Sequence, residues 1–258
     1  MKKISVAIAT FNEEKNIEKC LKSIVSWVDE IVVVDGSSND KTVQIVREYG
    51  AKVIISDNPA IFHINKQKAV DLCTNEWILQ LDADEIVTKE LKNEIIQAIN
   101  KQSAINGYYL SRKNFLLGKW MKKGGLYPDF VIRLFKKGKG RFPAKSVHEQ
   151  IKIDGEVSFL KNNLIHYAYS DFSEYIRKAN IYTSLTVEEF KQNKLQINFL
   201  NNVKYIFLLP VWTFITIFFR HLGFLDGFPG FVWAFFSALH KQIAYIKYWE
   251  QKNIQMNS

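Results

Sequence analysis

Apolar positions in the N-terminal half of the chain alternate between two rhythms. Ile4 to Thr10 is short and β-branched, and after the polar triplet Asn12-Glu13-Glu14 the residues Ile17, Cys20, Leu21, Ile24 and Val28 fall at helical spacing. A strand followed by an amphipathic helix is predicted. The same pair recurs: Glu30 to Val34 predicts a fully buried strand, Asp35-Gly36-Ser37-Ser38-Asn39-Asp40 a turn, and Val43, Val46 and Tyr49 a helix that stops at Gly50. Lys52 to Ser56 predicts a third strand and Asn65 to Cys73 a short helix. Trp77 to Leu81 predicts a fourth strand that runs directly into Asp82-Ala83-Asp84-Glu85. Strands apolar on both faces and alternating with helices belong to an α/β fold with a doubly wound, mostly parallel sheet.

After a helix with Leu91, Ile95, Ala98 and Ile99 inward, the rhythm changes. Gly107 to Lys113, Phe130 to Phe135 and Val157 to Leu160 predict strands joined by basic, Gly-containing loops, and a helix is expected from Asp171 to Lys191. Composition shifts at Val203. Residues 1–200 are therefore expected to form the α/β domain, with 1–100 and 101–200 as its halves, and residues 201–258 an apolar helical appendage.

Tyr205 to Phe219 carries no charge, but as a helix its fifteen residues reach about 22 Å against a hydrocarbon core of about 30 Å. The run is too short to span comfortably. Pro210 interrupts it, Arg220 and His221 close it, and Leu222 to Leu239 resumes with Asp226 and Pro229 inside. Trp212, Trp233, Tyr245, Tyr248 and Trp249 suit a lipid headgroup boundary, with Lys204, Arg220, Lys241 and Lys247 available for anionic lipid. Interfacial binding to a membrane surface is the expectation; a buried helical subdomain, a dimer contact and a re-entrant pair are its alternatives.

With 258 residues, 47% of them hydrophobic, the chain can bury one substantial core. Its first apolar run ends at Asn12, too soon for a signal segment. Cys20 and Cys73 are the only cysteines and occupy apolar positions, which argues against a disulfide framework and for a reducing, cytoplasmic location. The net charge of +9 is concentrated: eleven Lys and Arg but one acid, Asp129, lie between Arg112 and Lys145. No nucleic-acid recognition motif accompanies that stretch, so anionic lipid or phosphorylated glycan is the expected partner, with a solvated face as the plain alternative.

Open α/β sheets bind ligands beyond the carboxyl ends of their strands. Three polar clusters fall there: Thr10 to Glu13, Asp35 to Ser37, and Asp82 to Glu85. Asp82 and Asp84, two residues apart where a strand becomes a loop, can both face the cleft, and their hard oxygens suit Mg²⁺ or Mn²⁺ holding a substrate diphosphate. The plain alternative is an acidic turn that caps the next helix. A dinucleotide oxidoreductase is disfavoured, because no G-x-G-x-x-G follows the first strand.

The segments VAIATFNEEKNIEKCLKSI, IVVVDGSSNDKT and QKAVDLCTNEWILQLDADE resemble a family 2 glycosyltransferase of the GT-A (Rossmann-like) fold. WMKKGGLYPDFVIRLFKKGKGRF, VHE, LIHYAYSDFSEY and RHLGFLDGFPGF resemble the inner-core glucosyltransferases of lipopolysaccharide and lipooligosaccharide. The resemblance implies inverting transfer of a hexose, glucose first, from a UDP-sugar to an anionic glycan or glycolipid acceptor. Residues 1–100 are then the nucleotide-sugar half and 101–200, with their basic, Gly-containing loops, the acceptor half, while the cysteine usage and the apolar C-terminus put the expected enzyme at the inner face of the cytoplasmic membrane. Thr10, Asn12 and Glu13 would line the nucleotide pocket, Asp35 would contact uracil or ribose, and Lys68 would lie near the diphosphate. Asp82 would face ribose or metal, Asp84 would be the main metal ligand, and His166 would approach the metal or phosphate.

Displacement at an anomeric carbon also needs a base for the acceptor hydroxyl. Glu149, in Val147-His148-Glu149, is the first choice, although His-Glu departs from the commoner Glu-Asp form of that motif; Asp129 is the second. His148 would orient Glu149 or bind acceptor, and Arg133 is either a phosphate partner or a surface residue. Competing readings are a polyprenyl-phosphate acceptor, a nucleotide-sugar binding module without chemistry, and a membrane-associated scaffold.

Overall fold

The computed structural model describes residues 2–59, 61–143 and 150–257, with the backbone alone for 255–257. Two compact units divide the chain, residues 1–113 with 128–168 and residues 114–127 with 169–258. Along the chain, β1 (Ile4–Thr10), α1 (Ile17–Ile24), β2 (Glu30–Asp35), α2 (Thr42–Glu48), β3 (Lys52–Ile55), α3 (His63–Leu72) and β4 (Trp77–Asp82) come first. Then follow β5 (Glu85–Val87), α4 (Lys89–Asn100), β6 (Gly107–Leu116), β7 (Lys119–Trp120), β8 (Asp129–Lys136), β9 (Gly140–Arg141), β10 (Lys152–Ile153) and β11 (Val157–His166).

The main sheet runs β3-β2-β1-β4-β8-β6-β11-β5. Its β3-β2-β1-β4 half is parallel, whereas β8 pairs antiparallel with β4 and β6, and β11 antiparallel with β5. Alternation along β1 explains the double winding. Ile4, Val6 and Ile8 face a core shared with Leu21 and Ile24 of α1 and Leu91 and Ile95 of α4. Ala7 faces the opposite side, with Val32, Val34 and Ile78 under Ala69 and Val70 of α3. The register aligns the strand ends: Thr10 lies opposite Asp35, and Ala9 opposite Asp82.

Three departures from the expected elements bear on the site. First, α1 begins at Ile17 rather than at Asn12-Glu13-Glu14, because Glu13 N–H donates to Thr42 Oγ1 (2.8 Å) and Glu14 N–H to Asp40 (3.1 Å), which ties that segment to the loop after β2. Second, Glu85–Val87 forms a strand, and α4 is capped by Thr88, which accepts from Leu91 N–H. The acidic turn at Asp82-Glu85 is therefore not the cap of that helix. Third, β11 continues past Leu160 to His166: the Glu94 carboxylate of α4 accepts from the backbone of Lys161 (2.7 Å) and Asn162 (2.8 Å), so the polar middle of the strand is satisfied.

In the second unit, Asp171 caps α5 (Phe172–Gln192) by accepting from Glu174 N–H at 2.8 Å. Then α6 (Phe199–Val203), a π-helical turn (Lys204–Leu208), α7 (Leu209–Ile215) and a second π-helical turn (Thr216–Arg220) form one 22-residue run. At about 33 Å this helix is longer than the uncharged run alone, and by length and composition it is able to cross a bilayer. A 3₁₀ turn (Gly223–Asp226) leads into α8 (Phe228–Asn257).

Pro210 carries no N–H, so the Ile206 carbonyl loses the donor that residue i+4 supplies in an α-helix. Here the chain widens into the π turn, in which Leu209 N–H reaches Lys204 C=O. The Gln242 side-chain amide of α8 then donates to Ile206 C=O at 3.1 Å. Gln242→Ala is expected to lower the stability of the full chain by about 1 kcal/mol, measured by urea unfolding. In a Pro210→Ala background, where the backbone donor is restored, the cost should shrink; an equal cost in both backgrounds would refute this account.

Candidate active site

The loops after β1 and β2 are stitched to each other. Thr10 Oγ1 donates to Asp35 Oδ2 (2.8 Å), and the fully buried Asp35 carboxylate also accepts from Ser38 N–H (2.7 Å) and Ser38 Oγ (2.6 Å). Asn12 takes a left-handed backbone (φ 54°), which its residue type tolerates. In that conformation its N–H reaches Ser38 Oγ (2.8 Å) and its side-chain oxygen accepts from Asn39 N–H (3.0 Å). Glu13 accepts from Asn16 Nδ2 at 2.9 Å. Thr10, Asn12, Glu13 and Asp35 thus form one hydrogen-bonded edge, with the Asp35 carboxylate turned inward to hold the loop. Lys68, exposed on α3, donates to Ser56 Oγ (2.7 Å) just beyond β3.

At the end of β4, Asp82 is clamped by cations. Lys66 Nζ pairs with one carboxylate oxygen and Arg133 with the other. Burial alone would raise this carboxyl, but Arg133 and Lys66, with Arg112 behind them, hold it well below the usual carboxylate range. Arg133, 6% exposed, also bonds Gln80 Oε1 and Glu85 Oε1. Burial disfavours its charge, and the Asp82 and Glu85 carboxylates more than offset that. The surface-strand alternative for Arg133 is thereby replaced by a buried one. Arg112 continues the network, 3.5 Å from Glu85 and 2.8 Å from Asp129.

Asp84 has different neighbours. Its carboxylate stands 3.5 Å from His166 Nε2, with side chains 12% and 14% exposed, and its C=O accepts from Tyr167 N–H at 2.9 Å. Pairing of β5 with β11 creates this meeting, since Glu85 lies opposite His166 in the ladder. Among the described residues no three His, Cys, Asp or Glu side chains cluster as a complete metal cage. A carboxylate and an imidazole side by side suit a divalent ion that completes its shell with phosphate oxygens and water. Asp82, already held by two cations, is a poorer candidate ligand than Asp84.

Asp129 accepts from Arg112 Nε at 2.9 Å in addition to the guanidinium contact. Glu149 and His148 lie outside the described residues. Sequence reasoning placed Glu85 in the cluster after β4 without a role, and missed Lys66, Gln80 and Arg112 as parts of this constellation. The signal for two participants was present: Gln80 and Arg133 are single polar residues inside strands otherwise apolar on both faces, where an unpartnered polar group is costly.

Known proteins resemble this chain over most of its length. The model of glycosyl transferase family 2 matches residues 5–181. An uncharacterized glycosyltransferase of Rickettsia felis is 33% identical over 90% of this chain and 84% of its own. The lipopolysaccharide core biosynthesis glycosyltransferase LpsC of Rhizobium meliloti is 29% identical over 91% and 90%. Among solved structures, residues 1–349 of S. aureus TarS superpose with a TM-score of 0.50 at 17% identity, covering 95% of this chain and 91% of that one. The GT-A fold is thereby shown.

The depressed Asp82 carboxyl makes an acid-side prediction. Its folded pKa lies below the unfolded value of about 3.9, so its stabilisation is present above about pH 4 and is lost as pH falls through the folded value. Asp82→Asn should cost about 3 kcal/mol at pH 7, because Arg133 and Lys66 lose their counter-charge. It should also flatten the decline of stability between pH 4 and lower pH, followed by chemical unfolding. An unchanged acid slope would rule out this assignment.

Proposed function

The chain belongs to glycosyl transferase family 2, and we propose that it transfers a hexose, glucose first, from a UDP donor to a lipopolysaccharide or lipooligosaccharide core or a related envelope glycan. The observation that carries this reading is the pairing of Asp84 with His166 at the sheet edge that also bears Thr10 and Asp35. LpsC supports the acceptor class by its name, and TarS 1–349 has been crystallised with UDP.

In this reading the β1 and β2 loops take the nucleoside, with Thr10, Asn12, Glu13 and Asp35 setting the shape of its pocket. Asp35 acts through the loop that its carboxylate holds. Lys68 approaches the diphosphate, and Asp82, locked by Lys66 and Arg133, fixes the end of β4 beside it. Asp84 and His166 would hold Mg²⁺ or Mn²⁺, which supplies charge stabilisation for the departing diphosphate when bound.

The acceptor hydroxyl gives its proton to a carboxylate, and its oxygen bonds to the anomeric carbon as the carbon–oxygen bond to UDP breaks. One displacement of this kind inverts configuration. Glu149 remains the first choice for the base. The two contacts from Arg112 to Asp129 support a positioning role for that carboxylate, because a base needs an available lone pair in the cleft. The basic stretch from Arg112 to Lys145 suits an anionic acceptor, and the cytoplasmic side of the membrane is where the reaction is proposed to run. The exposed apolar helix Phe199–Arg220 favours a polyprenyl-phosphate acceptor as the second reading.

Calorimetric titration with UDP, with and without Mn²⁺, tests the donor site without knowledge of the acceptor. Wild type should bind in a metal-dependent manner, Asp84→Ala should abolish the metal dependence, and His166→Ala should weaken binding about tenfold or more. Metal-independent UDP binding that survives Asp84→Ala in folded protein would sink the proposal.

A further inference from the structure

The helix Phe199–Arg220 has two unlike faces. Phe207, Leu208, Val211, Trp212, Ile215 and Phe219 are between 45% and 64% exposed and recur at three- and four-residue steps, so they form one stripe. The other face is packed within its own unit. Tyr205 stacks on Tyr245 (centroids 4.8 Å apart), Phe214 meets Phe231 (5.9 Å), and the Tyr245 hydroxyl donates to Asn202 Oδ1 (2.7 Å). Phe190 and Val187 of α5 join the same cluster, and α5 carries the exposed charges Glu188, Glu189 and Lys191. A helix so packed cannot be surrounded by lipid without taking that charged neighbour into hydrocarbon.

Charge is arranged on the same segment. Between Phe199 and Phe235 the only Asp, Glu, Lys or Arg residues are Lys204, Arg220 and Asp226. Asp226 is 3% exposed and accepts from Lys123 N–H at 2.7 Å, so the cations face outward without an exposed acid among them. Lys204 and Arg220 are exposed and stand at the two ends of the stripe. Their sixteen-residue separation is about 24 Å along the axis.

We propose that this stripe docks the second unit onto an anionic bilayer surface, with Phe199–Arg220 lying in the plane of one leaflet and Lys204 and Arg220 both contacting its phosphates. An apolar stripe bracketed by cations matches an anionic interface, whereas a spanning helix would place one of the two at the far side. The inference concerns the second unit and stands whether or not the reaction proposed above is correct.

The test uses the full chain and vesicles of phosphatidylcholine alone or mixed with phosphatidylglycerol. Wild type should cosediment with the mixed vesicles, more weakly at high salt, and should be released by alkaline carbonate. Val211→Asp with Trp212→Asp, both at exposed positions that leave the packed face intact, should weaken binding by more than about tenfold. Lys204→Gln with Arg220→Gln should reduce the salt dependence. UDP binding measured on the same variants reports separately on the first unit. Retention in the carbonate pellet would replace in-plane docking with a span. Absence of vesicle binding, together with a wild-type dimer that the Asp variant dissolves, would assign the stripe to a second copy of the chain. Undiminished vesicle binding by the Asp variant would also overturn the proposal.

Discussion

A buried guanidinium ties together the two halves of the main sheet where β4 ends. Arg133 projects from the antiparallel half into the parallel half and bonds Gln80, Asp82 and Glu85, which belong to β4 and to the turn and strand after it. That cation lies between two carboxylates that would otherwise repel each other in a poorly hydrated place, where Lys66 and Arg112 each neutralise only one of them. The turn delivers Asp84 to His166. Arg133 is therefore an architectural charge on either side of Asp84, whose own place is set by the pairing of β5 with β11.

The neighbouring loops follow the same economy with weaker bonds. Asp35 is buried and saturated by Thr10 and Ser38, and the loop after β1 exchanges backbone and side-chain bonds with the loop after β2. Such an edge is ordered by its own bonds, and the proposed binding of a nucleotide there would need little further ordering. It also separates two kinds of acid in the site: those consumed by structure, such as Asp35 and Asp82, and Asp84, whose neighbour is an imidazole able to share a ligand.

How much of this was legible in the sequence depended on range. The four parallel strands and their helices could be read because burial on both faces leaves an unbroken apolar signature that alternates with a 3.6-residue rhythm. Strands β5, β9 and β10 have two or three residues and carry no period to detect. The meeting of Asp84 with His166 was implied by family resemblance, not by spacing, since ladder register across the sheet leaves no local mark. The reach of Arg133 was hidden for the same reason. In the second unit the helix proved longer than its uncharged run because Asn198 caps it, accepting from Asn201 N–H at 2.9 Å, so Asn201, Asn202 and Lys204 join it.

The amide of Gln242 behaves as an index pin. It reaches the carbonyl whose α-helical donor Pro210 removes, so sliding the helix Phe199–Arg220 along α8 by a turn, or rotating it about its own axis, would take that carbonyl away from the amide. A smooth apolar contact between two helices tolerates several nearly equal registers. A proline on one helix and a glutamine on the other select one, and with it the compass bearing of every side chain on the outward face.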